Sequence, residues 1–159
     1  MRITRFIPRV LFGEKRFDDL QEFIDESYPN PKQYSVYIID SVHQKTGLRE
    51  RLRPATHDLV MEYNASLHEP KTADVDAIRD EIVKQKGAGL PRVVVGIGGG
   101  SAMDVAKAVS VMLTNPGSSA DYQGWDLVKK RAVPKIAVPS LSGTGAEATR
   151  TAVLTGPVK

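Results

Sequence analysis

Three consecutive glycines followed by a serine and an aspartate form the stretch best equipped to hold a ligand: Gly98, Gly99, Gly100, Ser101 and Asp104. Without a Cβ, glycines let the backbone turn sharply and approach a bound group closely. Ser101 and Asp104 have the spacing of a capping box, which predicts a helix starting here. The free N–H groups of such a start, with the positive end of the helix dipole, suit phosphate. A second loop, Ser140-Leu141-Ser142-Gly143-Thr144-Gly145, is rich in hydroxyls and glycines. Each hydroxyl can donate or accept, which suits phosphate and ribose. Asp40 ends an apolar run. A carboxylate after such a strand can accept hydrogen bonds from ribose hydroxyls and would repel a 2′-phosphate. The residues alone leave the plainer readings open: a tight ligand-free turn, a flexible loop, and a surface aspartate capping the next helix.

Neither common nucleotide motif is spelled out. The G-x-G-x-x-G fingerprint needs a glycine at 101, where Ser101 stands, and no Gly-Lys-Ser/Thr closes a phosphate loop. In that fingerprint the acidic residue follows the glycines by about 20 residues, whereas Asp40 precedes them.

The elements that position these residues can be read from hydrophobic patterning. Val93, Val94, Val95 and Ile97 are β-branched and do not alternate with polar residues, which predicts a strand covered on both faces of a parallel sheet. Further strands are expected at 34–40, 58–62, 135–139 and 151–159. An N-terminal edge strand or hairpin is expected over Ile3–Phe12, where Pro8 disfavours a central position. Phe17, Leu20 and Ile24 line one face of a helix over 15–27. The segment 41–53 is weakly helical, with Val42, Leu48 and Leu52 inward and a break at Gly47. Thr72 is expected to N-cap a helix with Val75, Ile78 and Ile82 inside. The helix after the glycines is apolar except for a stripe of Asp104, Lys107, Ser110 and Thr114, on which Asp104 and Lys107 are placed to form an ion pair. Together these predict an α/β domain: a Rossmann-like, mostly parallel sheet flanked by helices, with residues 1–159 as a single nucleotide-binding domain.

Two segments carry a family resemblance. Residues 98–107, GGGSAMDVAK, closely resemble the GGGSxxDxAK signature of the iron-dependent alcohol dehydrogenases, whose wider relatives include glycerol dehydrogenase and dehydroquinate synthase. Residues 138–149, VPSLSGTGAEAT, resemble that family's IPTTxGTGSExT segment. The order and interval of the blocks also agree, and the resemblance runs from Pro8 to Thr155. It implies a cofactor cleft built from Asp40, Gly98, Gly99, Gly100, Ser101, Asp104, Ser140, Leu141, Thr144 and Thr149. One departure stands out: the family's Thr-Thr pair is Ser140-Leu141 here, and Leu141 offers only backbone groups. The implied cofactor is NAD in preference to NADP. The implied activity is hydride transfer between an alcohol or aldehyde and a nicotinamide. The family's divalent metal, iron or zinc, is expected only with a further helical domain carrying an Asp and three His, so no catalytic or metal-binding residue is assigned within 1–159. Alternatives are a sugar-acid oxidase resembling the 3-deoxy-octulosonate 8-oxidases, and a nucleotide-binding module without catalysis. The resemblance also allows a homodimer through the N-terminal segment.

Composition narrows the partners. A net charge of +3 is too small to imply nucleic acid as a partner. The absence of cysteine removes disulfides and thiolate metal sites within the sequence. No apolar run reaches the ~18 residues of a membrane span, and a cytoplasmic location is expected. His43, His57 and His68 have no metal-ligand spacing and are expected to be surface or packed residues.

Overall fold

A computed structural model describes residues 7–157. Four strands form one sheet in which every pairing is parallel: β1 (Ser35–Asp40), β2 (Leu59–Tyr63), β3 (Val93–Gly98) and β4 (Lys135–Pro139), in spatial order β2-β1-β3-β4. The helices are α1 (Leu20–Ser27), α2 (Leu48–Arg51), α3 (Thr72–Lys86) and α4 (Gly100–Met112). Short 3₁₀ turns occupy Arg16–Asp19, Ser41–Gln44, Ser119–Tyr122 and Ala146–Ala148.

The unbroken apolar runs have the expected cause, because both faces of the sheet are covered. Val36 and Ile38 of β1 and Val94 of β3 pack with Val75 and Ile82 of α3 and with Val105 and Val109 of α4. The alternate residues, Tyr37, Ile39, Val93, Val95 and Ile97, pack on the other face with Leu20 and Ile24 of α1 and with Leu52. Ile24, Val75 and Ile82 are fully buried, and burying a side chain of that size contributes about 1.5–3 kcal/mol. Gly96 lies on the α4 side of β3. A Cβ there would stand 2.7 Å from Ala106 Cβ and 3.1 Å from Met103 Cα, so this glycine sets how closely α4 approaches the sheet.

Arg92 ties α1 to the strands. Its guanidinium is almost fully buried, 2.8 Å from Asp25 Oδ1, and donates to Ser35 Oγ and to the Tyr28 carbonyl.

Several expectations need correction. Residues 7–12 carry no strand, and the rest of the expected N-terminal strand lies outside the described residues. Residues 151–157 form no strand either. Thr155 makes a single bridge to Lys71, with hydrogen bonds from Thr155 N–H to the Pro70 carbonyl and from Thr72 N–H to the Thr155 carbonyl. Thr72 is the first residue of α3 rather than its N-cap; Lys71 takes that place, and Asp74 Oδ2 accepts the Lys71 N–H. Val42 points outward, while Leu48 and Leu52 pack inward. No helix among the described residues is long and apolar enough to cross a membrane.

Candidate functional site at the carboxyl ends of the strands

β1 leads to β2 on one side, whereas β3 lies on its other side. The order of the sheet therefore reverses between β1 and β3, and a crevice opens at their carboxyl ends, where open α/β sheets bind ligands. Asp40 ends β1 and Gly98 ends β3. A Cβ on Gly98 would stand 3.0 Å from Asp40 Cβ and 2.8 Å from Ala102 Cβ, and its φ is +151°. Only glycine fits this junction.

Helix α4 starts at Gly100, with Gly99 as N-cap and no side-chain cap. The expected capping box of Ser101 and Asp104 is therefore not formed. Ser101 lies in the first turn, and Asp104 is used elsewhere. The first intrahelical bond runs from Met103 N–H to the Gly99 carbonyl at 3.2 Å. The N–H groups of Gly100, Ser101 and Ala102 precede it and point out of the helix end.

The loop after β4 folds over this end. Ser140 N–H donates to the Gly98 carbonyl at 2.8 Å. Leu141 Cδ1 lies 3.1 Å from where a Cβ on Gly99 would stand, and Thr144 Cβ lies 3.4 Å from the equivalent point on Gly100. The two glycine-bearing loops are thus in contact, and Asp40, Gly98–Ser101, Ser140, Leu141 and Thr144 gather at the same end of the sheet.

Asp40 is largely buried, and its Oδ1 accepts the Val42 N–H at 3.2 Å, capping the 3₁₀ turn that follows. The capping role expected of it as a plain surface residue is thus filled by one carboxylate oxygen. The second oxygen has no partner among the described residues.

Asp104 and Thr149 lie behind the crevice. Asp104 Oδ1 is 2.7 Å from Lys107 Nζ, the ion pair expected on the polar stripe of α4, and Asp104 Oδ2 accepts the Val153 N–H at 3.0 Å. Thr149 Oγ1 accepts from Lys107 Nζ at 3.0 Å.

Sequence reasoning missed two residues. Tyr63, at the end of β2, is buried beside Asp40 in the β1–β2 register. Burial, with the Asp74 carboxylate next to it and Asp40 further off, pushes its phenol up to about 12. It borders an open groove of about 230 Å³ between Asn64, Leu67, His68, Asp74 and Ile78. Lys107 was legible as an ion-pair partner, but its reach to residues 146–151 has no local signal in the sequence. Of the histidines, His43 is packed, with Nδ1 2.9 Å from Thr46 Oγ1. Among the described residues no group of three or more His, Cys, Asp or Glu is placed to hold a metal ion.

Comparison with known proteins matches this architecture. The profile of the family described as iron-containing alcohol dehydrogenase matches residues 8–159. Alcohol dehydrogenase 4 of Saccharomyces cerevisiae is 30% identical over 160 aligned positions, covering 97% of this chain and 40% of the yeast protein. The solved sulfoacetaldehyde reductase of Bifidobacterium kashiwanohense, in complex with NAD⁺, superposes with a TM-score of 0.67 at 26% identity, over 91% of this chain and 37% of that one. NADH-dependent butanol dehydrogenase A of Thermotoga maritima shares the fold, with a TM-score of 0.73 at 24% identity, over 92% of this chain and 36% of that one. The chain therefore spans about 40% of the length of the yeast relative.

Proposed function

The chain belongs to the iron-containing alcohol dehydrogenase family, and on that premise we propose that residues 1–159 form the nicotinamide-dinucleotide-binding domain of an oxidoreductase acting on an alcohol or aldehyde. The observation that carries this reading is the convergence of an acid, a glycine turn and a hydroxyl loop at the sheet's switch point. The bound nicotinamide supplies a hydride acceptor or donor. What this chain supplies is position. The N–H groups of Gly100, Ser101 and Ala102 face the place where a pyrophosphate is best neutralised, at a helix start that no side chain caps. The missing Cβ atoms at Gly98, Gly99 and Gly100 keep that approach clear. The free oxygen of Asp40 accepts from the adenosine ribose and disfavours a 2′-phosphate, so NAD is preferred to NADP. Ser140 and Thr144 bring hydroxyls to the same edge. Leu141 lies over Gly99 and offers an apolar wall where the resembled family carries threonine. The metal is assigned to ligands outside these residues, since the described ones do not fit it. The exposed side chains of Val10 and Phe12 are consistent with a homodimer through the N-terminal segment.

Calorimetric titration of the chain with NAD⁺ and with NADP⁺ tests the reading. NAD⁺ binding is expected, and Gly99→Asp should weaken it by about tenfold or more, because the new side chain meets Leu141 and places a negative charge against the phosphates. Equal binding of NAD⁺ by wild type and variant would sink the assignment of the glycine turn.

A further inference from the structure

We propose that Lys107 is a positioning residue: held by Asp104, its ammonium pins the segment from Ala146 to Val153 and so keeps the 140–145 loop over the start of α4. Lys107 is 7% exposed, an unusual burial for an ammonium. It is surrounded by acceptors. Asp104 Oδ1 lies at 2.7 Å, and the Ala146 carbonyl and Thr149 Oγ1 each at 3.0 Å. The Thr151 carbonyl is also bonded. An ammonium has three N–H donors, and the two carbonyls and Thr149 Oγ1 take all three, leaving Asp104 Oδ1 as the counter-charge beside them rather than a fourth hydrogen-bond acceptor. Two of the acceptors are main-chain carbonyls. The contact therefore fixes the path of the chain rather than the identity of one side chain. Asp104 completes the pin by accepting the Val153 N–H with its other oxygen.

The loop ahead of the pin has little else to hold it. Ser140, Leu141, Ser142, Gly143 and Thr144 are exposed. A Cβ on Gly143 or Gly145 would meet nothing within 4 Å, and both have positive φ. The loop is thus tied at two ends: by the Ser140 N–H on the Gly98 carbonyl, and by Lys107 beyond Ala146. Beyond Val153 the same segment continues to Thr155 and the start of α3. Freed of its second tie, the loop would have to be ordered at the moment of binding, which weakens affinity. The functional half of this inference rests on the nucleotide reading above; the pin itself does not.

The absence of cysteine from the sequence gives a direct test. Lys107→Cys removes the ammonium. Aminoethylation of the thiol in the unfolded chain, followed by refolding, restores an ammonium at the same reach. Two quantities are measured on wild type, variant and alkylated variant: amide hydrogen exchange and NAD⁺ affinity. The expected result is faster exchange in the variant at the amides of residues 146–153, with the β1 and β3 amides unchanged. NAD⁺ affinity should fall by roughly tenfold, the scale of ordering one mobile segment on binding. Aminoethylation should restore both. A uniform rise in exchange across the sheet with NAD⁺ affinity unchanged, or a loss that aminoethylation fails to restore, overturns the proposal in favour of a plain packing role. If the wild-type chain does not bind NAD⁺, the cofactor reading fails by itself, and the exchange comparison alone decides whether Lys107 is the pin.

Discussion

Asp40 spends one carboxylate oxygen on the Val42 N–H, and its second oxygen has no partner among the described residues. Asp40→Asn retains the accepting oxygen of the cap and removes only the charge. We expect it to leave folding intact, to weaken NAD⁺ binding by about tenfold and to narrow the preference over NADP⁺, since charge-assisted hydrogen bonds are the strong ones. Competitive titration with the two dinucleotides checks this, and an unchanged preference would remove Asp40 from the site. The position of Asp40 and the turn at Gly98 were legible because both are local: a carboxylate at the end of an apolar run, and a junction that tolerates no Cβ. The capping role of Ser101 and Asp104 was misread for the opposite reason. The N-cap lies two residues earlier, at Gly99, and Asp104 finds in Lys107 and the Val153 N–H partners that a helix-cap pattern does not encode. A buried charge-assisted contact outcompetes an exposed cap.

The close approach of α4 to β3 rests on Gly96. Gly96→Ala places a methyl 2.7 Å from Ala106 Cβ, and we expect a loss of about 1–3 kcal/mol, the range for overpacking a tight core. Adding Ala106→Gly should return part of that loss, because the two sites are in contact and their effects do not add. Urea unfolding of the single and double variants measures it, and strictly additive losses would refute the contact. The tyrosines of β1 and β2 make a second prediction. Burial raises the Tyr37 phenol, with the nearby Asp58 carboxylate adding to it, and burial pushes Tyr63 up to about 12. An unfolded tyrosine ionises near 10. Between about 10 and 12 the folded chain therefore holds more protons than the unfolded one, and stability falls as pH rises through that window. Phenolate absorbance should appear together with loss of the fold as these tyrosines ionise; reversible ionisation of every tyrosine near 10 in the folded chain would contradict it. Strands β1 to β4 were readable within a residue or two because each is a short apolar run between turn signals. The expected last strand was not realised, because residues 151–155 find single bonds to Asp104 and the Pro70–Thr72 backbone instead of a neighbouring ladder.

At the scale of the whole chain, the parallel α/β class followed from unbroken β-branched runs alternating with helices. The order β2-β1-β3-β4 did not, because pairing between strands separated by a helix leaves no mark in local composition. That order has a consequence for how the molecule assembles. Ser35 of β1 pairs with Val93 of β3, so the central pairing closes a long loop of intervening chain. Contacts of such sequence separation make folding slow relative to helical chains, because loop-closure entropy is spent before any pairing rewards it. The crevice needs β1, β3 and the loop after β4 all in place. A partly folded chain has the glycines, the aspartate and the hydroxyls, yet no site. On the proposed reading, a dinucleotide held there would recognise only the finished molecule and pull the folding equilibrium towards it by mass action, so its occupancy would double as a report that the chain has completed its topology.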